Sequence, residues 1–257
     1  MQLRNRVALV VGGSSGIGEA IARKFAAEGA TCAIVASQNK RKANKIAAEI
    51  KRKSKGYVCD ITKPGQVNAL VAQVLKDHKK IDILINSAGI FVPTPAGATK
   101  SKDMNVMIDV NLKGTITMME AVLPHMKSRK RGNIINVASA ASVCALPMYG
   151  VYCATKAAVV MLTKVMATEV SRDGIHVNAI SPGNTETPMN EYVRTDPEFK
   201  PILDFMETVT PSGRTYSTAA EIAETAMFLA SPVTGKAIYG ANFVIDEGLA
   251  AGMFISN

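Results

Sequence analysis

Tyr152 and Lys156 stand four residues apart in Tyr152-Cys153-Ala154-Thr155-Lys156. On a helix that spacing puts both side chains on one face, one turn apart. An ammonium beside a phenol favours the phenolate, so the spacing predicts a tyrosine pKa below its ordinary value of about 10. A tyrosine able to give and take a proton is a general acid/base. A solvated helix face produces the same spacing, so its meaning depends on what the chain places nearby.

A second constellation opens the chain. The apolar run Arg6 to Val11 reads as a buried parallel strand, followed by Gly12-Gly13-Ser14-Ser15-Gly16-Ile17-Gly18 and a helical pattern from Glu19 to Glu28. Strand, glycine-rich turn and helix form a dinucleotide-binding context: glycines let the backbone approach a pyrophosphate, and the helix start offers N–H donors. The spacing is Gly-x-x-x-Gly-x-Gly. A second strand, Thr31 to Ala36, ends in Ser37-Gln38-Asn39-Lys40-Arg41, with no acidic residue to hold a ribose 2′-hydroxyl. Ser37, Asn39 and Lys40 offer hydroxyl, amide and cation to a 2′-phosphate, so NADP is expected over NAD.

These groups need a scaffold, and the remaining pattern supplies one. Strands are expected at Gly56 to Cys59, Ile81 to Ile85, Asn133 to Ala138, Ile175 to Ile180 and Ala241 to Ile245. Helices are expected at Lys42 to Lys53, Pro64 to His78, Ser101 to Met126, Gly150 to Val170 and Ala219 to Ala230. Alternation of this kind predicts an α/β, Rossmann-type doubly wound parallel sheet of about seven strands with helices on both faces. Ligands bind such sheets beyond the strands' carboxyl ends, where Gly12 to Gly18, Asp60, Asn86, Ser139 and Pro182-Gly183 fall. No linker or repeat interrupts residues 1–257, read as one domain.

Composition narrows the function. The chain is 47% hydrophobic and 20% charged with no Trp and few aromatics, which predicts a large aliphatic core. Its formal charge of +9 comes from basic clusters at presumed helix ends, without interleaved aromatics, so nucleic acid is not an expected partner. No stretch reads as long enough to span a bilayer. Cys32, Cys59, Cys144 and Cys153 show no metal spacing, and the three His residues are scattered, so no metal site is expected. Reduced thiols and the absence of a signal peptide point to the cytoplasm.

Taken in order, Gly12-x-x-x-Gly16-x-Gly18, Asp60, Asn86-Ser87-Ala88-Gly89, Asn111, Ser139, Tyr152-x-x-x-Lys156 and Pro182-Gly183 resemble the short-chain dehydrogenase/reductase family over essentially the whole chain. The resemblance implies that Ser139 and Tyr152 hydrogen-bond the substrate oxygen and that Tyr152 transfers the proton. Lys156 would hold the nicotinamide ribose, and Asn111 a relay water. Gly12 and Ile17 would lie against phosphates and ribose, with Ser14, Ser15, Gly16 and Gly18 completing that turn. Asp60 and Ile61 would meet the adenine, and Asn86, Ala88 and Gly89 the adenosine side. Ile180, Pro182, Gly183 and Thr185 would surround the nicotinamide. Such chemistry builds negative charge on a carbonyl oxygen, which two aimed donors stabilise while the cofactor supplies hydride.

Departures from the family pattern are Val11 before the first glycine, Asn86-Ser87 for Asn-Asn, Asp246-Glu247-Gly248 near the end, and no cation at Ser14 or Ser15. Tyr149 and Ser142 are rival candidates, but Tyr149 lacks a Lys four residues on and Ser142 lacks the family spacing. Cys153 reads as a packed thiol. Thr187 to Thr215 is the expected substrate lid, a helical pair rich in apolar residues, with Arg194 or Lys200 able to reach a charged tail. An apolar mouth favours a neutral or thioester ketone. The resemblance is closest in kind to 3-oxoacyl-acyl-carrier-protein and related carbonyl reductases, and basic Lys127 to Arg131 suits an acidic carrier protein. An alcohol or diol dehydrogenase, or a non-catalytic NADP-sensing protein on the same fold, are the alternatives. The family also implies a homotetramer, built through the long helices and the C-terminal strand.

Overall fold

A computed structural model describes residues 1–252. Seven strands form one all-parallel sheet: β1 (Val7–Val11), β2 (Thr31–Ala36), β3 (Lys55–Val58), β4 (Ile83–Asn86), β5 (Gly132–Val137), β6 (Ile175–Pro182) and, last in the chain, β9 (Asn242–Ile245). Their order is β3-β2-β1-β4-β5-β6-β9, so the winding reverses between β1 and β4. That switch point opens a crevice at the strands' carboxyl ends. Two short strands, β7 (Thr185–Glu186) and β8 (Ser217–Thr218), pair separately and tie both ends of the expected lid together.

Helices cover both faces. On one, α1 (Gly16–Ala27) and α9 (Ala219–Ala230) pack together, with α2 (Lys40–Ile50) beside β2 and β3. On the other lie α3 (Pro64–His78), α5 (Gly114–Ser128) and α6 (Gly150–Val170). The core is aliphatic, as the composition predicts: Leu9, Ile34, Leu84, Ile85, Met118 and Met119 are among its largest side chains, and among the described residues Phe25 is the aromatic fully buried within it. Central strands β1 and β4 are buried along their full lengths, which is why they read as unbroken apolar runs.

Two expectations need correction. Ser101 to Met126 is not one regular helix. It runs as α4 (Ser101–Met107), a widened π-type turn at Ile108–Lys113, and α5, with Asn111 inside the turn. Such turns frequently mark functional positions. Second, α6 with its short 3₁₀ extension covers Gly150–Asp173 at mean hydropathy 1.3, long and apolar enough by composition to cross a bilayer. The same Ala, Val and Met content serves the sheet: Val159, Val160, Thr163, Met166 and Ala167 are buried, while Lys164 and Glu169 face outward.

Candidate active site

Four elements converge at the crevice. Asn86 closes β4 and its amide donates to Asn136 Oδ1 at 2.9 Å; Asn136 on β5 donates to Thr163 Oγ1 on α6 at 2.9 Å. This buried polar chain ties two central strands to the helix bearing Tyr152 and Lys156. Buried side-chain hydrogen bonds of this kind favour a single arrangement of the elements they join. Asn111 joins from the widened turn. Its carboxamide clasps Ile90 twice, accepting from the amide at 2.8 Å and donating to the carbonyl at 3.0 Å, and also donates to Thr155 Oγ1 at 3.3 Å. Asn111 thus aligns the chain after β4 with α6.

Lys156 is buried at the centre, and its Nζ donates to Val137 O at 2.9 Å. A Cβ on Gly89 would lie 3.5 Å from that Nζ and 3.4 Å from Asn111 Oδ1, so Gly89, Asn111 and Lys156 meet at one point. The ammonium stands 5.8 Å from the Tyr152 ring centroid. Tyr152 does not show the lowered pKa expected from that neighbour. Burial dominates and raises it, while a hydrogen bond from Ser139 pulls it down. Burial acts on Lys156 in the opposite sense and pushes it down to about 8.

Ser139 lies two residues past the end of β5 and caps a 3₁₀ turn, Ala140–Ser142, accepting from Ala141 N at 3.2 Å. Its hydroxyl donates to Pro182 O at 3.5 Å, and its nearness to the Tyr152 phenol is what opposes the upward push of burial there. The rival Ser142 is turned away: its hydroxyl pairs with Ser181 Oγ at 3.2 Å, and Ser181 donates onward to Asn242. Tyr149 stacks on Phe91 rather than meeting a lysine, with ring centroids 4.0 Å apart and planes within 10°. Two hydroxyls with a cation behind them can polarise a carbonyl oxygen and deliver a proton to it.

Beside this group lies a cradle suited to a dinucleotide. Gly12 and Gly16 have φ of 76° and 54°, and a Cβ on Gly12 would sit 2.7 Å from Ala88 N. Only glycine permits that backbone approach. The turn is anchored by Gly12 N and Gly13 N donating to Val35 O, and by Ser87 N donating to Val11 O. Ser14 and Ser15 are half-buried, Ile17 is partly buried against the core, and Ser15 begins α1 without a side-chain cap, so the helix's first N–H groups are not taken up by that side chain. Asn86 Oδ1 is buried without a partner. Turn, helix start and orphaned acceptor all fit a nicotinamide dinucleotide, which would supply the hydride.

The remaining expected contacts divide. Ser37, Asn39 and Lys40 stand exposed at the end of β2, but Asn39 Oδ1 caps α2 at Lys42 N, 3.0 Å, leaving Ser37 and Lys40 as the freer pair. Asp60 spends a carboxylate oxygen on Thr62 N and Oγ1, at 3.0 and 2.7 Å. Ile61 packs into the core, close enough to Gly114 that a Cβ there would clash at 2.6 Å. Pro182 ends β6, and Gly183 packs on Asp246 without room for a side chain. Thr185 is buried with its hydroxyl on Gly183 O, 3.2 Å.

Thr187 is the threonine that reaches the glycine turn: a Cβ on Gly16 would stand 3.2 Å from its Cγ2. The signal was present in Thr187-Pro188-Met189-Asn190, a cap followed by Pro at the first turn position. Phe91 was also missed. It meets Tyr152 edge-on, with centroids 4.8 Å apart at 84°. In a chain so poor in aromatics, a Phe directly after Asn86-Ser87-Ala88-Gly89-Ile90 was the available clue.

Known proteins resemble this chain in sequence and in fold. The family profile described as Enoyl-(Acyl carrier protein) reductase matches residues 11–250. A D-threitol dehydrogenase of Mycolicibacterium smegmatis is 37% identical over 250 residues, 96% of this chain and 94% of that protein. The 3-oxoacyl-[acyl-carrier-protein] reductase FabG of Thermotoga maritima is 35% identical over 255 residues, 97% of this chain and 99% of that protein. The crystal structure of a gluconate 5-dehydrogenase from Burkholderia cenocepacia in complex with NADP and tartrate superimposes with a TM-score of 0.91 at 35% identity, covering 98% and 97% of the two chains. The chain belongs to the short-chain dehydrogenase/reductase family and is an NAD(P)-dependent oxidoreductase acting on CH–OH groups.

Proposed function

We propose that the chain reduces a ketone to a secondary alcohol, as a carbonyl or 3-oxoacyl thioester reductase. The observation that carries this reading is the convergence of Ser139, Tyr152 and Lys156 beside a glycine cradle, on α6 and the end of β5. In it, Ser139 and Tyr152 donate to the substrate oxygen, and Tyr152 releases its proton as hydride arrives from the cofactor. A Tyr152 pKa raised by burial keeps that proton on the phenol at neutral pH, which suits a donor in the reductive direction. Lys156 binds the ribose and restores the proton through the opening beside Asn111 and Gly89.

NADP is the proposed cofactor, supported by exposed Ser37, Lys40 and Arg41 and the absence of an acid at the end of β2. Thr187, which stands against the glycine turn, is added as the proposed lid contact to the phosphates, with Thr185 kept beside the nicotinamide. A homotetramer is supported by the apolar outer side of α6, where Met161 and Val165 are exposed. Four free thiols suit the cytoplasm. Arg194 and Lys200, expected to reach a charged substrate tail, are engaged instead: Arg194 with Asn190 and Thr187 O, Lys200 with Asp204 at 2.7 Å. A neutral substrate fits that pairing.

NADPH and NADH oxidation over a panel of acyl thioesters, cyclic ketones, diketones and polyol ketones tests the proposal. NADPH is expected to bind more tightly than NADH. Tyr152→Phe is expected to abolish turnover while holding NADPH affinity within a few-fold. Wild type and Tyr152→Phe equally inactive across the panel, with NADPH bound by both, would leave a binding protein as the better reading.

A further inference from the structure

The chain has seven Phe, six Tyr and no Trp, and its core is aliphatic. Three of those thirteen aromatics nonetheless form one connected track. It starts at Tyr152, which meets Phe91 edge-on at 4.8 Å. Phe91 stacks on Tyr149 at 4.0 Å. A separate pair stands on the lid, where Tyr192 of helix α7 (Glu191–Thr195) meets Phe199 edge-on at 5.5 Å.

The track is not core packing. Phe91 is 38% exposed, and neither Phe91 nor Tyr149 belongs to a buried cluster. It is nevertheless held in place. Thr94 N donates to Met148 O at 2.6 Å and Val151 N donates to Thr94 Oγ1 at 3.2 Å, stitching the segment after β4 to the start of α6. That stitching presses Phe91 against Tyr149 at the mouth. Leu146 and Met148, 40% and 57% exposed, extend the apolar surface beside it. An exposed apolar patch built on rigid elements next to a reacting group marks a recognition surface.

We propose that the Phe91–Tyr149 stack selects the substrate: a neutral carbonyl compound whose carbonyl is attached to a flat apolar ring, aromatic or unsaturated. The proposal rests on Tyr152 as the proton donor. A ring lying along the stack places its carbonyl at Tyr152 and Ser139, and offset or edge-on contact with aromatic faces rewards planarity. A polyol ketone gains nothing from such a wall and loses hydration against it. The chain therefore differs in substrate class from relatives named for gluconate, threitol or glycerol.

The test compares acetophenone with dihydroxyacetone. Wild type is expected to show kcat/KM at least tenfold higher for acetophenone. Phe91→Ala is expected to lower that ratio at least tenfold, mainly through KM, and Phe91→Tyr to retain it. Calorimetry on the NADPH-loaded Tyr152→Phe protein reads binding without turnover: acetophenone should bind, and adding Phe91→Ala should weaken it at least tenfold. Preference for dihydroxyacetone in wild type, or a ratio and a Kd that Phe91→Ala leaves unmoved, overturns the proposal. If neither ketone turns over, the proton-donor reading has failed, and the calorimetric comparison still decides whether the stack binds the ring.

Discussion

Helices α8 (Lys200–Val209) and α9 are neighbours in the chain, of ten and twelve residues, and each carries an apolar side. They differ in what covers it. α9 buries Ile222, Ala223, Ala226, Met227, Leu229 and Ala230 against α1 and the sheet, and its start is fixed by a reciprocal cap between Thr218 and Glu221. α8 buries none of its residues, and Ile202 and Phe205 are 56% and 59% exposed. An apolar helix side covered within the chain belongs to the fold. One left open beside a catalytic cleft is available to whatever enters that cleft. The site has the same division: a hydrogen-bonded floor of Ser139, Lys156 and Asn111, and an apolar mouth above it.

The largest effect should come from the covered side. Ile222 is fully buried, so Ile222→Ala removes buried carbons and leaves a cavity, at a cost of about 2–5 kcal/mol. For a chain of this size the midpoint of thermal unfolding should fall by about 5–15 °C. A fall below about 2 °C would mean that α9 is as loosely covered as α8.

On the floor, Ser139→Ala removes one donor to the developing oxyanion and should lower kcat roughly 10²-fold, with little change in stability. Ser142→Ala is the control, since that hydroxyl faces Ser181. Full rate in the first and a large loss in the second would reverse the two assignments.

Much of this division was legible before any coordinates. β1 and β4 are buried throughout and therefore wrote continuous apolar runs. Gly12 and Gly16 take positive φ, and Tyr152 and Lys156 share a helix face, so each left a local mark. What escaped depends on contacts between segments distant in sequence. Phe91 and Tyr149 are 58 positions apart and meet only because Thr94 stitches their segments together. Thr187 reaches Gly16 across 171 positions, a contact that no local spacing signals. The Tyr152 pKa failed for a related reason. Helical spacing reveals the neighbouring charge but not the burial, and burial is the larger effect.

Lys156 links floor and fold with a definite sign. Its folded-state pKa, about 8, lies below the ordinary lysine value, so the buried ammonium opposes folding. That penalty is fully present below pH 8 and fades as pH rises toward the unfolded pKa of about 10.4. Lys156→Met should therefore stabilise the protein at pH 7, by about 1–3 kcal/mol once the lost bond to Val137 O is allowed for, while abolishing turnover. Thermal melts at pH 7 and pH 9.5 check it. The gap between variant and wild type should shrink at the higher pH, and a constant or widening gap would contradict the assignment. In wild type, ketone reduction should decline as pH rises through about 8, where the cation beside Tyr152 is lost.

The smallest effect on stability is expected from the open side. Phe205 stands on the uncovered face of α8, so Phe205→Ser removes no packed contact and should change unfolding free energy by less than about 0.5 kcal/mol. The corresponding change buried in α9 costs several times that. If the open face meets substrate, the loss appears in binding instead: KM for an apolar ketone should rise by about three- to tenfold, with kcat preserved because Ser139 and Tyr152 are untouched. Stability and KM should therefore separate at both positions but in opposite senses: Phe205→Ser moves KM and not the melt, Ile222→Ala the melt and not KM. A Phe205→Ser protein that melts several degrees lower with unchanged KM would show that α8 is covered after all, by another copy of the chain or by its own closure, and the distinction from α9 would then be one of assembly rather than of role.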